Sequence, residues 1–277
     1  MMSITRKHRQ YCTRREGSCL LLLILAIFCL HCSSASSNSP VNNVRYVDTV
    51  GTNFLFRGER PLTGDGTASA TFNLDGLRTA IADQAAQAGV VLPSSYTLVI
   101  ISLLWVDDIQ DPTQAAKERG FLFAEFSFFQ TNPQWGQAHS WTSKGTSLSP
   151  LDPALSAADR DYLAMNLDNW LIDPLVLRVN TLRSWLENPS ALGITGPAVF
   201  YVHCYGGCDR TGELIGSYSM RHMNKSWEEM NLLNKERCQP GRPYRVENCN
   251  ALRWYGLWLN LNVNRAVNWN NPASCGD

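Results

Sequence analysis

Between Val202 and Gly212 the chain crowds a thiol, two adjacent glycines, a guanidinium and a hydroxyl into one short stretch: Val202-His203-Cys204-Tyr205-Gly206-Gly207-Cys208-Asp209-Arg210-Thr211-Gly212. A thiol is a useful nucleophile only as a thiolate, and a thiolate near neutral pH needs local positive potential. A loop running into a helix N-terminus supplies it, because its N–H groups converge on one spot and the helix dipole adds to them. Gly206 and Gly207 allow the tight curl that aims those N–H groups inward. The spacing from Cys204 to Arg210 lets the guanidinium reach over the same hollow and grip a tetrahedral oxyanion with two N–H groups. The pattern describes a phosphate cradle with a nucleophile at its floor, walled by Tyr205, Gly206, Gly207, Cys208, Asp209 and Arg210.

Such a cradle needs a strand before it and a helix after it. Ala198 to Val202 is a short apolar run that predicts the strand, and Thr211 to Met223 predicts the helix. In that setting His203-Cys204-x5-Arg210-Thr211-Gly212 resembles the signature loop of the cysteine-dependent protein tyrosine phosphatase superfamily, on its dual-specificity side. The resemblance implies Cys204 as the nucleophile that forms a phosphocysteine, Arg210 as the phosphate clamp, and Thr211 as the hydroxyl that helps the thiolate leave. It also implies that His203 steadies the loop and that a separate Asp protonates the leaving oxygen and then activates water. Asp209, directly before Arg210, is placed as in the loops of myotubularin-like and Sac-like phosphoinositide phosphatases. That likeness implies a phosphoinositide substrate, or a share of the acid work for Asp209. Cys208, four residues after Cys204, either traps an oxidised Cys204 as a disulfide or packs under the loop.

The superfamily's acid lies on a loop ahead of the helix that leads back to the cradle. That helix is predicted from Asp173-Pro174, with Asp173 as N-cap, Pro174 as first helical residue, and an apolar stripe of Leu175, Val179, Leu182 and Leu186. Asp168, five residues ahead of Asp173 and uncommitted to capping, is the expected acid. Asp209 is the runner-up, and Asp152 is expected to cap an earlier helix at Pro153.

The rest of the chain bounds the setting. With 277 residues, 44% apolar residues and 9 Trp, the chain can build a core without a disulfide scaffold. Five of its 24 basic residues and one of its 24 acidic ones fall within residues 1–17, leaving 19 basic against 23 acidic residues. That balance argues against nucleic acid as a partner. The basic N-terminus, the apolar run Cys19 to Leu30 and the small residues Ser33 to Ser36 predict a signal peptide over 1–35 and a secreted or lumenal protein. An uncleaved signal anchor is the rival reading, although the run is shorter than the roughly 20 residues of a comfortable span. Residues 36–43 then form a flexible polar lead-in and 44–277 the phosphatase-like domain. Cys204, Cys208, Cys238, Cys249 and Cys275 remain, which fits one catalytic thiol plus two pairs, or a free Cys208 with one pair. Cys238 and Cys249 bracket a turn-rich loop that a disulfide could close. No metal and no cofactor is implied: residues 36–277 hold no Cys-x2-Cys pair, and their only histidines are His139, His203 and His222.

Coarse periodicity completes the layout. Asn53-Phe54-Leu55-Phe56-Arg57-Gly58 predicts a strand and resembles the opening strand of dual-specificity phosphatases. Asp75 is expected to cap a helix bearing Leu77, Ile81 and Ala85 and closed by Gly89. Two apolar runs, Tyr96 to Trp105 and Phe121 to Phe129, predict strands. The stretch from Gln130 to Leu151, with Trp135 and Trp141, reads as a long irregular loop that either lines the pocket or crosses the surface. Ser226-Trp227-Glu228-Glu229 is a capping box, and a Trp-rich helix is expected over 250–267. The sum is an α/β domain with a central, mostly parallel sheet flanked by helices, dual-specificity phosphatase-like. The expected activity is hydrolysis of phosphomonoesters on a phosphorylated protein or a phosphoinositide. A phospho-ligand-binding pseudophosphatase is the non-enzymatic alternative.

Overall fold

The apolar run ahead of Cys204 folds as strand β7 (Ala198–Cys204), buried along its whole length, at the centre of a computed structural model that describes residues 40–66, 69–107, 111–170, 173–271 and 275. The expected signal segment lies outside the described residues. Strand β7 pairs in parallel with β2 (Asn53–Glu59) on one side and β5 (Thr97–Ser102) on the other. Strand β6 (Gly136–Ser140) continues the parallel sheet beyond β5, and β1 (Arg45–Val50) closes the other edge antiparallel to β2. The order is β1-β2-β7-β5-β6, and a separate ribbon pairs β3 (Leu62–Thr63) with β4 (Thr71–Phe72). The α/β class with a mostly parallel central sheet is therefore present.

Alternation along the central strands sorts side chains onto two faces. Val99, Ile101, Phe200 and Val202 join one core with helices α4 (Leu175–Glu187), α5 (Asp209–His222) and α7 (Val246–Asn262). Leu98, Ile100, Val199 and Tyr201 join the other with α1 (Leu74–Gln87) and the end of α2 (Pro112–Thr131). Each fully buried aliphatic side chain contributes roughly 1.5–3 kcal/mol of transfer free energy, so β7 is gripped from both faces. Among the described residues no helix is long and apolar enough to cross a membrane.

Several sequence expectations need correction. Phe121 to Phe129 is the second half of α2, not a strand. The signal was Asp111-Pro112: Asp111 Oδ1 accepts from Gln114 N at 2.9 Å and Pro112 opens the helix. Burial then recurs at Phe121, Glu125 and Phe129, while Phe123 is exposed, the four-residue step of a helix. Asn73, not Asp75, caps α1, accepting from Gly76 N at 3.0 Å. Ser156, not Asp152, caps α3 (Ala157–Met165), and Asp152 accepts from Ala154 N in a turn. The stretch after Gln130 is only partly irregular, since β6 lies within it. Its Gly-Gln-Ala-His-Ser sequence has no β-branched or large apolar residue to betray a strand. The Trp-rich helix begins at Val246, and the capping box of α6 (Trp227–Arg237) is present as expected. The polar lead-in is already packed at its end, with Val41 buried and Asn42 N bonded to Glu59 Oε1 at 3.0 Å.

Candidate active site

Cys204 ends β7 and Asp209 opens α5, so four residues make the whole turn between the sheet and the helix N-terminus. Gly207 is the position that requires glycine. Its φ is +70°, and a Cβ there would stand 2.4 Å from the carbonyl carbon of Gly58. Gly206 has open space around it and no positive φ, so its bareness leaves room over the loop rather than shaping the curl. Strand β2 braces the turn from below. Arg57 is buried and donates to Gly207 O at 3.0 Å and to Asn234 Oδ1 at 2.8 Å. Burial pulls its pKa down to about 10. Arg60 donates to Tyr205 O at 3.0 Å and lies 3.8 Å over the Tyr205 ring. His203 is fully buried, with Nε2 2.7 Å from Glu125 Oε1 on α2. Thr211 is buried too, and its Oγ1 has no hydrogen-bond partner among the described residues.

Cys204 is the one free cysteine among those described. It lines a cavity of about 310 Å³ together with Tyr205, Gly206, Asp209 and Arg210. Arg210 is held by Glu118 of α2 in a two-pronged pair, Nη1 to Oε2 at 2.7 Å and Nη2 to Oε1 at 2.9 Å, and also donates to Leu103 O at 2.9 Å. Burial disfavours its charge, but the hydrogen bonds it donates to Glu118 and the nearby Cys204, Glu118 and Asp209 side chains more than offset this and raise its pKa. Burial likewise works against the Glu118 carboxylate, yet Arg210, Gln114 and the Trp105 N–H hold its pKa below the usual range. The Arg210 guanidinium is thus held in place by contacts within the protein.

The other side of the cavity comes from two distant segments. Lys144 follows β6, and its ammonium lies 4.8 Å over the Trp105 ring. Arg242 and Arg245 lie between α6 and α7 and are bound through Asp209. Arg242 pairs with Asp209 Oδ2, and Arg245 N donates to Oδ1 at 2.9 Å. A Cys208–Cys238 disulfide fastens the same segment to the cradle, and Cys249–Cys275 ties α7 to the chain's end. The fit of one free thiol with two pairs is present, but the Cys238–Cys249 closure and the Cys204–Cys208 trap are not. Cys208, Asp209 and Cys238 offer ligand atoms within 4.8 Å of one another, but the two sulfurs are bonded to each other.

The predicted residues separate into those brought together and those not. Cys204, Tyr205, Gly206, Asp209 and Arg210 line one cavity. Asp168 is exposed on a short 3₁₀ turn, Leu167–Asn169, and does not line it. Asp173 does not cap α4, because three donors from the loop after β6 compete for its carboxylate. Oδ2 accepts from Lys144 N and Gly145 N at 3.0 Å each and from Ser143 Oγ at 3.2 Å, while Oδ1 accepts from Arg178 at 2.6 Å. Sequence reasoning missed Asp111, Glu118, Lys144, Arg242 and Arg245, all of which line the cavity. Only Asp111 carried a local signal, its Asp-Pro step.

No protein-family model matches the chain, and no curated protein matches it by sequence. Solved structures do match. The core catalytic domain of the PP-IP phosphatase SIW14 from S. cerevisiae aligns over 78% of this chain and 88% of its own, at 12% identity and TM-score 0.35. The Yvh1 phosphatase domain from Chaetomium thermophilum aligns over 80% and 99%, at 14% identity and TM-score 0.36. A kinase-associated phosphatase with its catalytic-site cysteine changed to serine aligns over 77% and 93%, at 10% identity and TM-score 0.34. At these values the likeness says nothing of substrate.

Proposed function

We propose that the protein is a cysteine-dependent phosphoric monoester hydrolase working through a phosphocysteine. The observation that carries the reading is the free Cys204 on a helix N-terminal turn, beside a guanidinium already aligned by Glu118. In the first step Cys204 Sγ attacks phosphorus, the ester P–O bond breaks, and the leaving oxygen takes a proton from an acid. In the second, water attacks phosphorus, the S–P bond breaks, and the water's proton passes to that acid's conjugate base. Arg210 and the turn's N–H groups hold the equatorial oxygens throughout. The unpartnered hydroxyl of Thr211 supports a role beside the departing thiolate.

Two carboxylates compete for the acid's role: Asp168, on the segment ahead of α4, and Asp111, which lines the cavity. Asp209 is the weaker candidate, because Arg242 and Arg245 engage both of its oxygens. The substrate is a phosphorylated protein or a phosphoinositide-like compound. The rim of Lys144, Arg242 and Arg245 favours the second, since it offers cations beyond the one that a single phosphate needs.

The experiment is turnover of an aryl phosphate by wild type and Cys204→Ser. The serine variant is expected to be inactive yet folded, and vanadate is expected to protect wild-type Cys204 from alkylation. Turnover by Cys204→Ser, or alkylation indifferent to vanadate, would refute the phosphocysteine and leave a phospho-ligand-binding protein.

A further inference from the structure

Behind the rim, α5 buries a second carboxyl group that the reaction does not use. Glu213 is wholly buried, and its Oε2 accepts from Asn248 of α7 at 2.6 Å. Its Oε1 has no donor among the described residues. Its neighbour is Asp173, whose own oxygens are taken by the Ser143–Gly145 turn and Arg178. Both carboxyl groups line the same small void, with Gly145 and Trp170.

Charge decides the state of this pair. The groups facing it are Arg178 of α4, Asn248 of α7, Ser143 and the backbone of the turn, and the neutral phenol of Tyr244. One guanidinium can balance one carboxylate. A second buried negative charge without a partner is strongly unfavourable, so a proton stays on the pair. We propose that Glu213 and Asp173 share one proton and that this acid–carboxylate pair positions the turn carrying Lys144 at the rim of the cleft. Burial, and then the Asp173 charge, push the Glu213 pKa well above the usual range, in agreement.

The arrangement predicts its own loss. Glu213 binds its proton more tightly in the folded than in the unfolded chain. Its contribution is therefore full below the ordinary carboxylate pKa and is lost as pH rises through the raised folded value. Once both groups are charged they repel, and the Ser143–Gly145 turn loses its anchor. Glu213 and Asp173 are thus positioning residues, acting on the site through Lys144. That last step rests on the phosphatase reading, while the shared proton does not.

The test compares wild type, Glu213→Gln and Glu213→Ala across the alkaline range. Protection factors of the Lys144 and Gly145 amides are read by hydrogen exchange, and kcat and KM on inositol hexakisphosphate are read in parallel. In wild type both amides are expected to lose about tenfold or more protection as pH rises, the effect of one pKa unit. KM should rise alongside while kcat moves less. Glu213→Gln, which keeps a neutral donor, should hold protection and KM constant with pH. Glu213→Ala should lose both at every pH. Wild-type amides indifferent to pH would overturn the proposal, as would Glu213→Gln exposing them as far as Glu213→Ala does. If no variant turns over any phosphate ester, the phosphatase reading fails, and the amides still decide the shared proton.

Discussion

The floor of the cleft and its rim are built in opposite ways. The floor is one contiguous stretch, His203 to Thr211, mostly buried and braced by Arg57, Arg60 and Glu118. The rim is assembled from Lys144 and from Arg242 and Arg245, distant segments that meet only after folding. Floor charges are paired out of water, where geometry is strict. Rim charges stay wetter, with the Arg242 and Arg245 side chains 37% and 62% exposed. On the proposed reading the labour divides: the floor would do what any phosphomonoester needs, and the rim would distinguish one ester from another.

The largest expected effect asks which part of the cleft supplies the acid. On an alkyl phosphate, whose leaving group needs a proton, Asn at the true acid should lower kcat by about 10²–10⁴-fold, with much less effect on an aryl phosphate. Asp111→Asn is a clean probe because Asn also caps helices, so α2 keeps its start. If Asp168→Asn shows the pattern and Asp111→Asn does not, the acid comes from outside the cavity lining.

Next in size is the clamp. Arg210→Lys keeps the charge but cannot span two oxygens, and kcat should fall by roughly 10²–10³-fold. Steady-state rates near wild type would reduce Arg210 to a partner for Glu118. The floor's shape is checked by the two glycines. Gly207→Ala should cost at least about 1–2 kcal/mol by denaturant unfolding, from its left-handed backbone alone. Gly206→Ala, in open space, should leave stability near wild type, and equal losses at both would dissolve the distinction between them.

The smallest effect belongs to the rim. Arg245→Ala should raise KM for inositol hexakisphosphate by about 2–5-fold relative to an aryl monophosphate, since an exposed charge contributes at most about 1 kcal/mol. The gap should close in high salt. A shift of the same size for both esters would make the rim part of the floor's machinery.

The nucleophile's setting was legible in the order of residues alone. Strand, Cys-x5-Arg and helix are local, and local spacing obliges the thiol and guanidinium to share one hollow. Also legible there were the apolar β7, the apolar run that holds β5 and the capping box at Ser226. Where two local patterns fitted one stretch, tertiary burial decided. Phe121 to Phe129 is apolar enough for a strand, and its packing on one face decided for the helix that Asp111-Pro112 starts. Asp173 looked like a cap until a loop some thirty residues upstream offered it three donors. Glu118, Lys144, Arg242, Arg245 and the Cys208–Cys238 bridge were invisible in the same way. Each depends on residues far apart in the chain becoming neighbours, and no spacing along a sequence encodes a distance that only the packed sheet and helices create.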